Sequence, residues 1–372
     1  MMISDLPSEL VEEIISRVPM KLMGMVRSTC KKWNSLSKDQ SFVKKHIGKV
    51  AASTREREFL IITGGHGLEL ISYNLNKTNN NDNDLSMNRK GTLIGRECTD
   101  PLLLTYQVFH CNGVLLCVLG NMNTRLVVWN PYWGNTRWID ERKDDSGLVK
   151  RFAFGYDKSC GSHKILKWFD HHLEIFNLRY NSWKVHNVTL DLDINIGYRR
   201  QGVSLKGNTY WHARSYESRN AFIMCFDFTR ERFGPRLPLP FGDNYECDVY
   251  LSAVREEKLA MLIRPWGTKE MEVWITDKIE PDAVTWTNFF KVYTKPQVDI
   301  TPQPYMFKFI SFFIEEEKKI AVVFFENCTS QICTTAYIIG ENGYCKRVDL
   351  RKSPNIQLLQ FVCSYVPTSV QI

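Results

Sequence analysis

The stretch Leu126–Ile139, LVVWNPYWGNTRWI, has the order of a β-hairpin: an apolar run ends at Asn130, a polar turn follows, and Trp138 lies in the returning run. The same order occurs three more times, in LEIFNLRYNSWKVH at 173–186, IMCFDFTRERFGPR at 223–236 and MEVWITDKIEPDAVTW at 271–286. The turns of the four stretches begin 47, 50 and 49 residues apart, at Asn130, Asn177, Asp227 and Thr276. A nearly constant spacing of this size predicts an internal repeat of one β unit.

A second set of hairpins lies between the first ones. Its members alternate around tight turns such as Asn112-Gly113 and Gly207-Asn208. They are FHCNGVLLCV at 109–118, GVSLKGNTYWHA at 202–213, LSAVREEKLAMLI at 251–263 and SFFIEEEKKIAVVFF at 311–325. Two hairpins in each repeat of about 48 residues make one four-stranded blade, which is the period of kelch-like β-propellers. The spacing therefore predicts a mainly-β domain that forms a closed β-propeller of about six blades.

The ends of this domain predict how the ring closes. The last strand, near 360–365, is expected to pair with the first, near 59–63, so that no sheet edge stays open. A two-sheet sandwich with long excursions is the alternative architecture. Residues 74–91, NLNKTNNNDNDLSMNRKG, contain almost no apolar side chains, and this composition predicts a mobile loop there.

The first fifty residues have helical spacing instead. Pro7 suits the first turn of a helix, and Pro19 prevents that helix from continuing. Between them, one apolar face is predicted from the spacing of Leu10, Val11, Ile14, Ile15 and Val18.

Two more short helices are predicted after Pro19. The second carries the apolar residues Leu22, Val26, Cys30 and Trp33. The third has Asp39 as its N-cap, with Phe42, Val43, His46 and Ile47 facing inward. A domain of fewer than roughly 50 residues can bury only a small core, and such a core is marginally stable. We therefore expect a binding partner to complete it.

Composition excludes several classes of protein. The net charge is +7, and residues 1–50 hold nine Lys/Arg against five Asp/Glu, but no basic run exceeds two residues. Binding along the phosphate backbone of a nucleic acid needs several cations close together, so we expect no nucleic-acid partner. No stretch is apolar enough for a transmembrane helix, and we expect no membrane partner. Eleven cysteines without a C-x-x-C pair predict reduced thiols, and hence the cytoplasm or the nucleus.

The N-terminal stretch resembles an F-box. The carrying residues are LPSELVEEIISRVP at 6–19 and RSTCKKWN at 27–34, within a match over about residues 3–47. The resemblance implies docking onto a Skp-type adaptor, and through it onto a cullin and ubiquitin transfer. The positions that the resemblance places against the adaptor are Leu6, Pro7, Leu10, Ile14, Val18 and Pro19. Leu22 and Met25 depart from the pattern, which usually has a serine and a basic residue in this region.

The β region resembles the F-box-associated domain of plant proteins over roughly residues 60–365. The resemblance rests on Asn130-Pro131 with Trp138, FAFGYD at 152–157, EIFNLRYNSWK at 174–184, GVSLKGNTYWHA, and FDFTRERFGPRLPLPF at 226–241. Such domains are regarded as platforms that recruit a target protein. The predicted organisation is thus a small all-α, three-helix F-box at 1–50 followed by a β domain at 51–372.

These resemblances predict a substrate-recognition subunit of an SCF-type (Skp–cullin–F-box) ubiquitin ligase that has no catalytic site of its own. An unknown protein target is expected to bind loops on one face of the ring. Aromatic and arginine side chains in these loops are expected to contribute most of the binding energy. The candidates are Tyr132, Trp133, Tyr198, Arg199 and Arg200.

The alternative is a propeller-fold hydrolase or oxidase whose F-box only regulates its turnover. His171-His172 is the obvious metal-ligand pair, but adjacent side chains in a strand point to opposite faces. TGGHG at 63–67 lacks the Gly-Lys-Ser/Thr of a P-loop, and there is no Gly-x-Ser-x-Gly elbow. We therefore predict no metal site and no cofactor.

Overall fold

The computed structural model of the chain describes most of the β domain and most of the N-terminal helices. The described residues are 6–18, 22–39, 41–43, 45, 46, 49, 57–63, 67–77, 83–92, 105–120, 124–132, 134–140, 150–169, 172–186, 193–197, 201–242, 246–268, 270–293, 307–327, 332–349, 359–365, 368, 370 and 372.

The first helices described are α1 (Ser8–Ile15), α2 (Met23–Thr29) and α3 (Lys31–Leu36), and a fourth helical segment follows them before the β domain. The helix predicted to run through Val26, Cys30 and Trp33 is wrong as a single element, because Cys30 is extended (φ −156°, ψ 160°). The Cys30 Sγ accepts a hydrogen bond from the Trp33 backbone N–H at 3.4 Å, so this residue caps α3 and separates it from α2.

A further helical segment follows α3, and its described part includes residues 41–43. The Asp39 Oδ1 accepts the backbone N–H groups of Ser41 at 2.9 Å and of Phe42 at 3.0 Å. These bonds confirm Asp39 as the N-cap, since a cap satisfies backbone donors that have no partner within the helix.

The described strands form six antiparallel sheets, which we number along the chain. Sheet 1 contains β1 (Arg57–Thr63), β2 (Gly67–Lys77), β3 (Asn83–Thr92) and β25 (Leu359–Ser364). Sheet 2 contains β4 (Thr105–Cys111), β5 (Val114–Leu119), β6 (Arg125–Asn130) and β7 (Asn135–Ile139). Sheet 3 contains β8 (Arg151–Asp157), β9 (Ser162–Phe169), β10 (His172–Asn177) and β11 (Ser182–His186).

The other three sheets follow in the same way. Sheet 4 contains β12 (Ile194–Asn195), β13 (Val203–Leu205), β14 (Asn208–Ser215), β15 (Ala221–Asp227) and β16 (Arg232–Phe233). Sheet 5 contains β17 (Cys247–Val254), β18 (Lys258–Pro265), β19 (Glu270–Glu280) and β20 (Ala283–Tyr293). Sheet 6 contains β21 (Phe307–Glu315), β22 (Ile320–Asn327), β23 (Ile332–Gly340) and β24 (Tyr344–Asp349). Five sheets thus have four strands, and sheet 4 has five because β12 and β13 both pair with β14.

The sheets are arranged as a ring. Contacts between the innermost strands of neighbouring sheets run in the order β25, β4, β8, β13 with β14, β17, β21, and back to β25. The ring closes where β25 pairs with β1, with Phe59 opposite Ser364 and Ile62 opposite Phe361. This pairing was predicted and is confirmed. The domain is therefore a β-propeller, and the two-sheet sandwich is wrong.

The two ends of the ring carry different connections. The turn face carries the turns between the first and second and between the third and fourth strands of each sheet, such as 112–113 and 131–134. The connection face carries the turns between second and third strands, such as 216–220, and the links from one sheet to the next. Residue 57 begins β1 and residue 364 ends β25, both on the turn face, so the chain enters and leaves the ring there.

Local turn chemistry explains two of the hairpins. Asn112 and Gly113 have φ of 49° and 69° between β4 and β5, as a two-residue hairpin turn requires. In the hairpin of β13 and β14 the turn residues are Lys206 and Gly207, with φ of 51° and 87°, which shifts the predicted Gly207-Asn208 turn by one residue.

The prediction of a mobile loop over 74–91 is wrong for most of its length. Residues 74–77 end β2, residues 83–91 lie in β3, and Leu75 pairs with Leu85 in the register between them. An antiparallel ladder is held by backbone hydrogen bonds, which do not depend on an apolar composition. Residues 78–82 lie outside the described residues.

Close packing between sheets 3 and 4 predicts a sensitive position in the FAFGYD stretch. A Cβ added at Gly155 would lie 2.0 Å from the ring of Phe228, which is fully buried. We expect Gly155→Ala to lower the free energy of unfolding by about 1–3 kcal/mol, because the core must move to accept a methyl group. Denaturant unfolding of the full chain measures this.

Gly242→Ala is the matched control, since an added Cβ there meets no atom within 4 Å. If the two variants unfold at the same denaturant concentration, the tight contact between Gly155 and Phe228 is contradicted.

Candidate functional site

Helix α1 has two apolar faces, not one. Val11 and Ile15, four residues apart, are each 2% exposed. Leu10 and Ile14, also four residues apart, are 51% and 48% exposed. Residues i and i+4 share a face of a helix, so these pairs define an inner and an outer apolar face. The single apolar face predicted from the spacing is therefore divided by the packing.

The inner face belongs to a core that the helices share with sheet 2. In this cluster the helical residues Val11, Ile15, Met23, Phe42 and Val43 are buried together with Leu115, Val127, Trp129, Tyr132 and Tyr365 of the β domain. The expectation that a partner completes the helical core is wrong, because the β domain of the same chain completes it. Sequence spacing placed Val11 and Ile15 on the apolar face of their helix, but it predicted neither that Leu10 and Ile14 stay exposed nor what the buried side chains contact.

Tyr132 is the central polar contact between the helices and the ring. Its hydroxyl lies 3.1 Å from the Nδ1 of His46, whose Nε2 lies 2.7 Å from the carbonyl oxygen of Val18. A carbonyl only accepts, so the Nε2–H donates to Val18 and the neutral ring accepts the Tyr132 hydroxyl at Nδ1. The Arg27 guanidinium lies over the Tyr132 ring, 5.5 Å from its centroid, and donates to the Tyr132 carbonyl at 3.5 Å.

Burial sets the protonation of these three groups. It lowers the pKa of His46 and of Arg27, and it raises the pKa of Tyr132 to about 12. The contact therefore holds a neutral imidazole and a neutral phenol beside one cation.

Tyr132 was predicted to bind the target, and the structure corrects this. Its side chain is 2% exposed and packs against His46, so no surface remains for a second protein. The turn that carries it lies on the same face of the ring as the helices, which is why an apparently free loop tip is covered. Trp133, Tyr198, Arg199 and Arg200 lie outside the described residues.

Two acidic side chains of α1, Glu12 and Glu13, form ion pairs within the helical region. Lys49 lies 2.5 Å and Arg17 2.8 Å from Glu13, and Lys45 lies 2.8 Å from Glu12. The hydrogen bonds from Lys49 and then Arg17 hold the pKa of Glu13 at about 2. The pairs made by Lys45 and Lys49 tie α1 to the segment after α3, and the sequence analysis did not anticipate them.

The outer face of α1 forms a candidate docking surface. Pro7, Leu10 and Ile14 are exposed, while Leu6 and Val18 are half-buried against the shared core. Leu22 and Met25, the two departures from the resemblance, are 36% and 68% exposed. We call Pro7, Leu10, Ile14, Leu22 and Met25 the outer apolar patch. Pro19, also predicted to face the adaptor, lies outside the described residues.

The residues weighed for catalysis do not come together in the described part of the chain. His172 is exposed in β10, and His171 lies outside the described residues. Among the residues that the structure describes, no three His, Cys, Asp or Glu side chains are placed to hold a metal ion. No described helix has the length and apolar character to cross a membrane.

The contact at Tyr132 generates a stability prediction. Tyr132→Phe keeps the ring but leaves the buried Nδ1 of His46 without its donor, so we expect about 1–3 kcal/mol lower free energy of unfolding. Tyr180→Phe is the control, because Tyr180 is 66% exposed in a turn of sheet 3. Chemical denaturation compares the variants. If Tyr132→Phe unfolds with the same free energy as the wild type, the hydroxyl does not stabilise the packing of the helices.

His46 also predicts how stability depends on pH. Its pKa is lowered in the folded chain, so an unfolded chain takes up a proton below its ordinary value of 6.5 while the folded chain does not. Stability is therefore full above pH 6.5 and falls as the pH decreases from there toward the lowered value.

Free energies of unfolding measured between about pH 7.5 and 5 give the slope of stability against pH. His46→Gln should reduce it, and His172→Gln, at an exposed site, should not. Part of the slope will remain in both variants, because burial also lowers the pKa of His163, to about 4. Equal slopes in the wild type and His46→Gln would contradict the neutral, buried imidazole.

Comparison with known proteins agrees with this division of the chain. Residues 3–45 match the F-box domain, and residues 60–372 match the F-box associated beta propeller domain. A putative F-box/kelch-repeat protein of Arabidopsis thaliana is 48% identical over 98% of this chain and 99% of its own. An Arabidopsis thaliana F-box protein is 46% identical over the whole of both chains.

Solved structures are much more distant. A SapL1 lectin bound to alpha methyl fucoside has 7% identity and a TM-score of 0.38, covering 82% of this chain and 97% of the lectin. An oligogalacturonate lyase bound to manganese has 9% identity and a TM-score of 0.39, covering 78% of each chain. Likenesses of this size do not indicate a function. The sequence matches, together with helices packed on a β-propeller, show that the chain belongs to the plant F-box proteins with an F-box-associated domain.

Proposed function

We propose that this protein is the substrate-recognition subunit of an SCF-type ubiquitin ligase. In this proposal the helices of residues 1–50 bind a Skp-type adaptor, and through it a cullin, while the β domain of residues 51–372 recruits a protein target. The observation that carries the proposal is the exposure of Leu10 and Ile14 on a helix whose inner face is already packed.

The two faces of α1 explain why the exposed residues indicate a binding partner outside this chain. An isolated three-helix unit of this size would be only marginally stable, because it can bury little apolar surface by itself. Here the propeller completes that core, so Leu10 and Ile14 are not needed for it. Burying a large aliphatic side chain contributes about 1.5–3 kcal/mol. Apolar side chains held at half exposure on a rigid helix therefore fit a protein-docking surface.

Leu22 and Met25 extend this proposal. Both are exposed and apolar, and both lie at the start of α2, where the family pattern usually has polar residues. Added apolar area strengthens docking only where the partner offers a matching surface. We propose that these two side chains alter how tightly the adaptor docks.

The proposed receptor performs no bond chemistry. It supplies proximity, because a target held on the ring meets the ubiquitin-loaded enzyme at a raised effective concentration. A core shared by the helices and sheet 2 suits this role, since it fixes the position of the target surface relative to the adaptor. The proposal includes no cofactor, and it places the protein in the cytoplasm or the nucleus.

The docking surface is tested by the double substitution Leu10→Ala and Ile14→Ala. We expect affinity for a recombinant Skp-type adaptor to fall about 10- to 100-fold, because two anchor side chains are lost from the centre of the surface. Binding is measured by calorimetry and by co-purification. The fold should persist, because both side chains are about half exposed.

The matched control is Val185→Ala, which shortens an aliphatic side chain that is 55% exposed in β11 of the ring. This variant should bind the adaptor as the wild type does. A wild-type chain that does not bind the adaptor, or a double variant that binds it with unchanged affinity, would contradict the proposal.

A further inference from the structure

A cavity of about 250 Å³ lies between sheets 4 and 5. Its lining combines side chains from β14 and β17 with the segment around β12 and the turn after β18. The lining residues are Asn195, Gly197, His212, Arg214, Cys247 and Trp266. A concave site with a few polar groups on mainly apolar walls is typical of ligand recognition.

This cavity lies on the connection face, away from the helices. Arg214 is near the end of the second strand of sheet 4, Cys247 begins the first strand of sheet 5, and Trp266 follows the second. All three positions are at the connection ends of their strands. Tyr132, which contacts the helices, is in a turn between third and fourth strands, on the turn face. A partner in the cavity would therefore not meet the outer apolar patch.

Arg214 is the cation of the cavity. Its guanidinium is half-buried and donates to the carbonyl oxygen of Cys247 at 3.4 Å. A guanidinium has five N–H donors in a fork that fits a carboxylate. Among the described residues, no carboxylate forms an ion pair with Arg214, so its positive charge faces the cavity without a salt-bridge partner in that part of the chain.

Two other arginines near the cavity, Arg264 and Arg236, differ from Arg214. Arg264 lies 2.5 Å from Asp248, and Arg236 lies 3.0 Å from Asp193. Their charges are balanced within the fold. Arg214 is thus the arginine of this group that remains available to an anion.

One aromatic side chain lines the cavity with this cation, and another is exposed nearby in the sequence. Trp266 lines the cavity and is 54% exposed, and Tyr216, two residues after Arg214, is 64% exposed. Tryptophan, tyrosine and arginine dominate the residues that carry binding energy at protein interfaces.

The charge of a second cavity, which adjoins the first, favours the same kind of ligand. A smaller cavity shares Gly197 with the first and is also lined by Arg151 and Gln201. The described side chains that line the two cavities thus include two arginines, Arg214 and Arg151, and no carboxylate.

We propose that this cavity binds an aspartate or glutamate side chain of an acidic, extended segment in the recruited protein. The carboxylate accepts hydrogen bonds from the Arg214 guanidinium, and the flanking peptide packs on Trp266. This assignment rests on the proposed function, because it names the chemistry of the target that the ring recruits.

A positional peptide array probes the full-length protein directly. Each peptide holds Asp, Glu, Asn, Gln, Lys or phosphoserine at a fixed central position among random neighbours. We expect wild-type protein to favour Asp and Glu over Asn and Gln by about tenfold, with the preference falling as salt is raised. Arg214→Gln should abolish this preference, and Trp266→Ala should weaken binding to all the acidic peptides.

Arg232→Gln is the matched control, since it makes the same substitution at an exposed arginine in β16 of the same sheet. It should keep the acidic preference. The inference is overturned by three results: binding to no peptide, a preference for phosphoserine over both carboxylates, or an acidic preference that survives Arg214→Gln.

Adaptor binding is measured on the same samples. A chain that selects acidic peptides but does not bind the adaptor would overturn the proposed function and leave the cavity assigned. A chain that binds the adaptor in all variants but has no acidic preference would overturn only the cavity.

Discussion

The propeller depends on one pairing, in which β25, the strand nearest the C-terminus, is hydrogen-bonded to β1, the first strand of the domain. Without this pairing, sheet 1 would lose its innermost strand, and the ring would have an exposed edge. Strand β25 also contacts β4 of sheet 2 and β21 of sheet 6, so it joins the sheets on both sides. The ring is complete only when the two ends of the domain have met.

The same closure brings the helices to their position. Tyr365, directly after β25, lies in the core that Val11 and Ile15 share with sheet 2. Asn130 donates through Nδ2 to the carbonyl oxygen of Val370 at 2.5 Å, and its Oδ1 accepts the backbone N–H of Tyr132 at 2.9 Å. One turn of sheet 2 thus holds the C-terminal residues on one side and the helices on the other. The small helical unit gains a complete core because the ring supplies half of it.

This arrangement separates two surfaces of opposite character. The turn face carries the helices, whose outer apolar patch is exposed beside ion-paired acidic residues. The connection face carries the cavity with Arg214 and Trp266. The strands that line the cavity, β14 and β17, are eight residues long, which corresponds to about 26 Å of sheet between the two faces at this place. A receptor that binds an adaptor and a target at the same time needs such a separation.

The sequence by itself determined the helices at the start of the chain, the repeated hairpins, the ring closure and the family, because turn residues, apolar alternation and motif spacing are local or periodic. Tertiary structure alone decided that Tyr132 is covered by helices, that Leu10 is exposed while Val11 is buried, that residues 83–91 form a strand, and that Arg214 and Trp266 line one cavity. The physical reason is that each of these facts depends on a neighbour distant in sequence. Periodicity predicts that a side chain turns toward a core, but only the closed ring determines which core that is and which surface stays exposed.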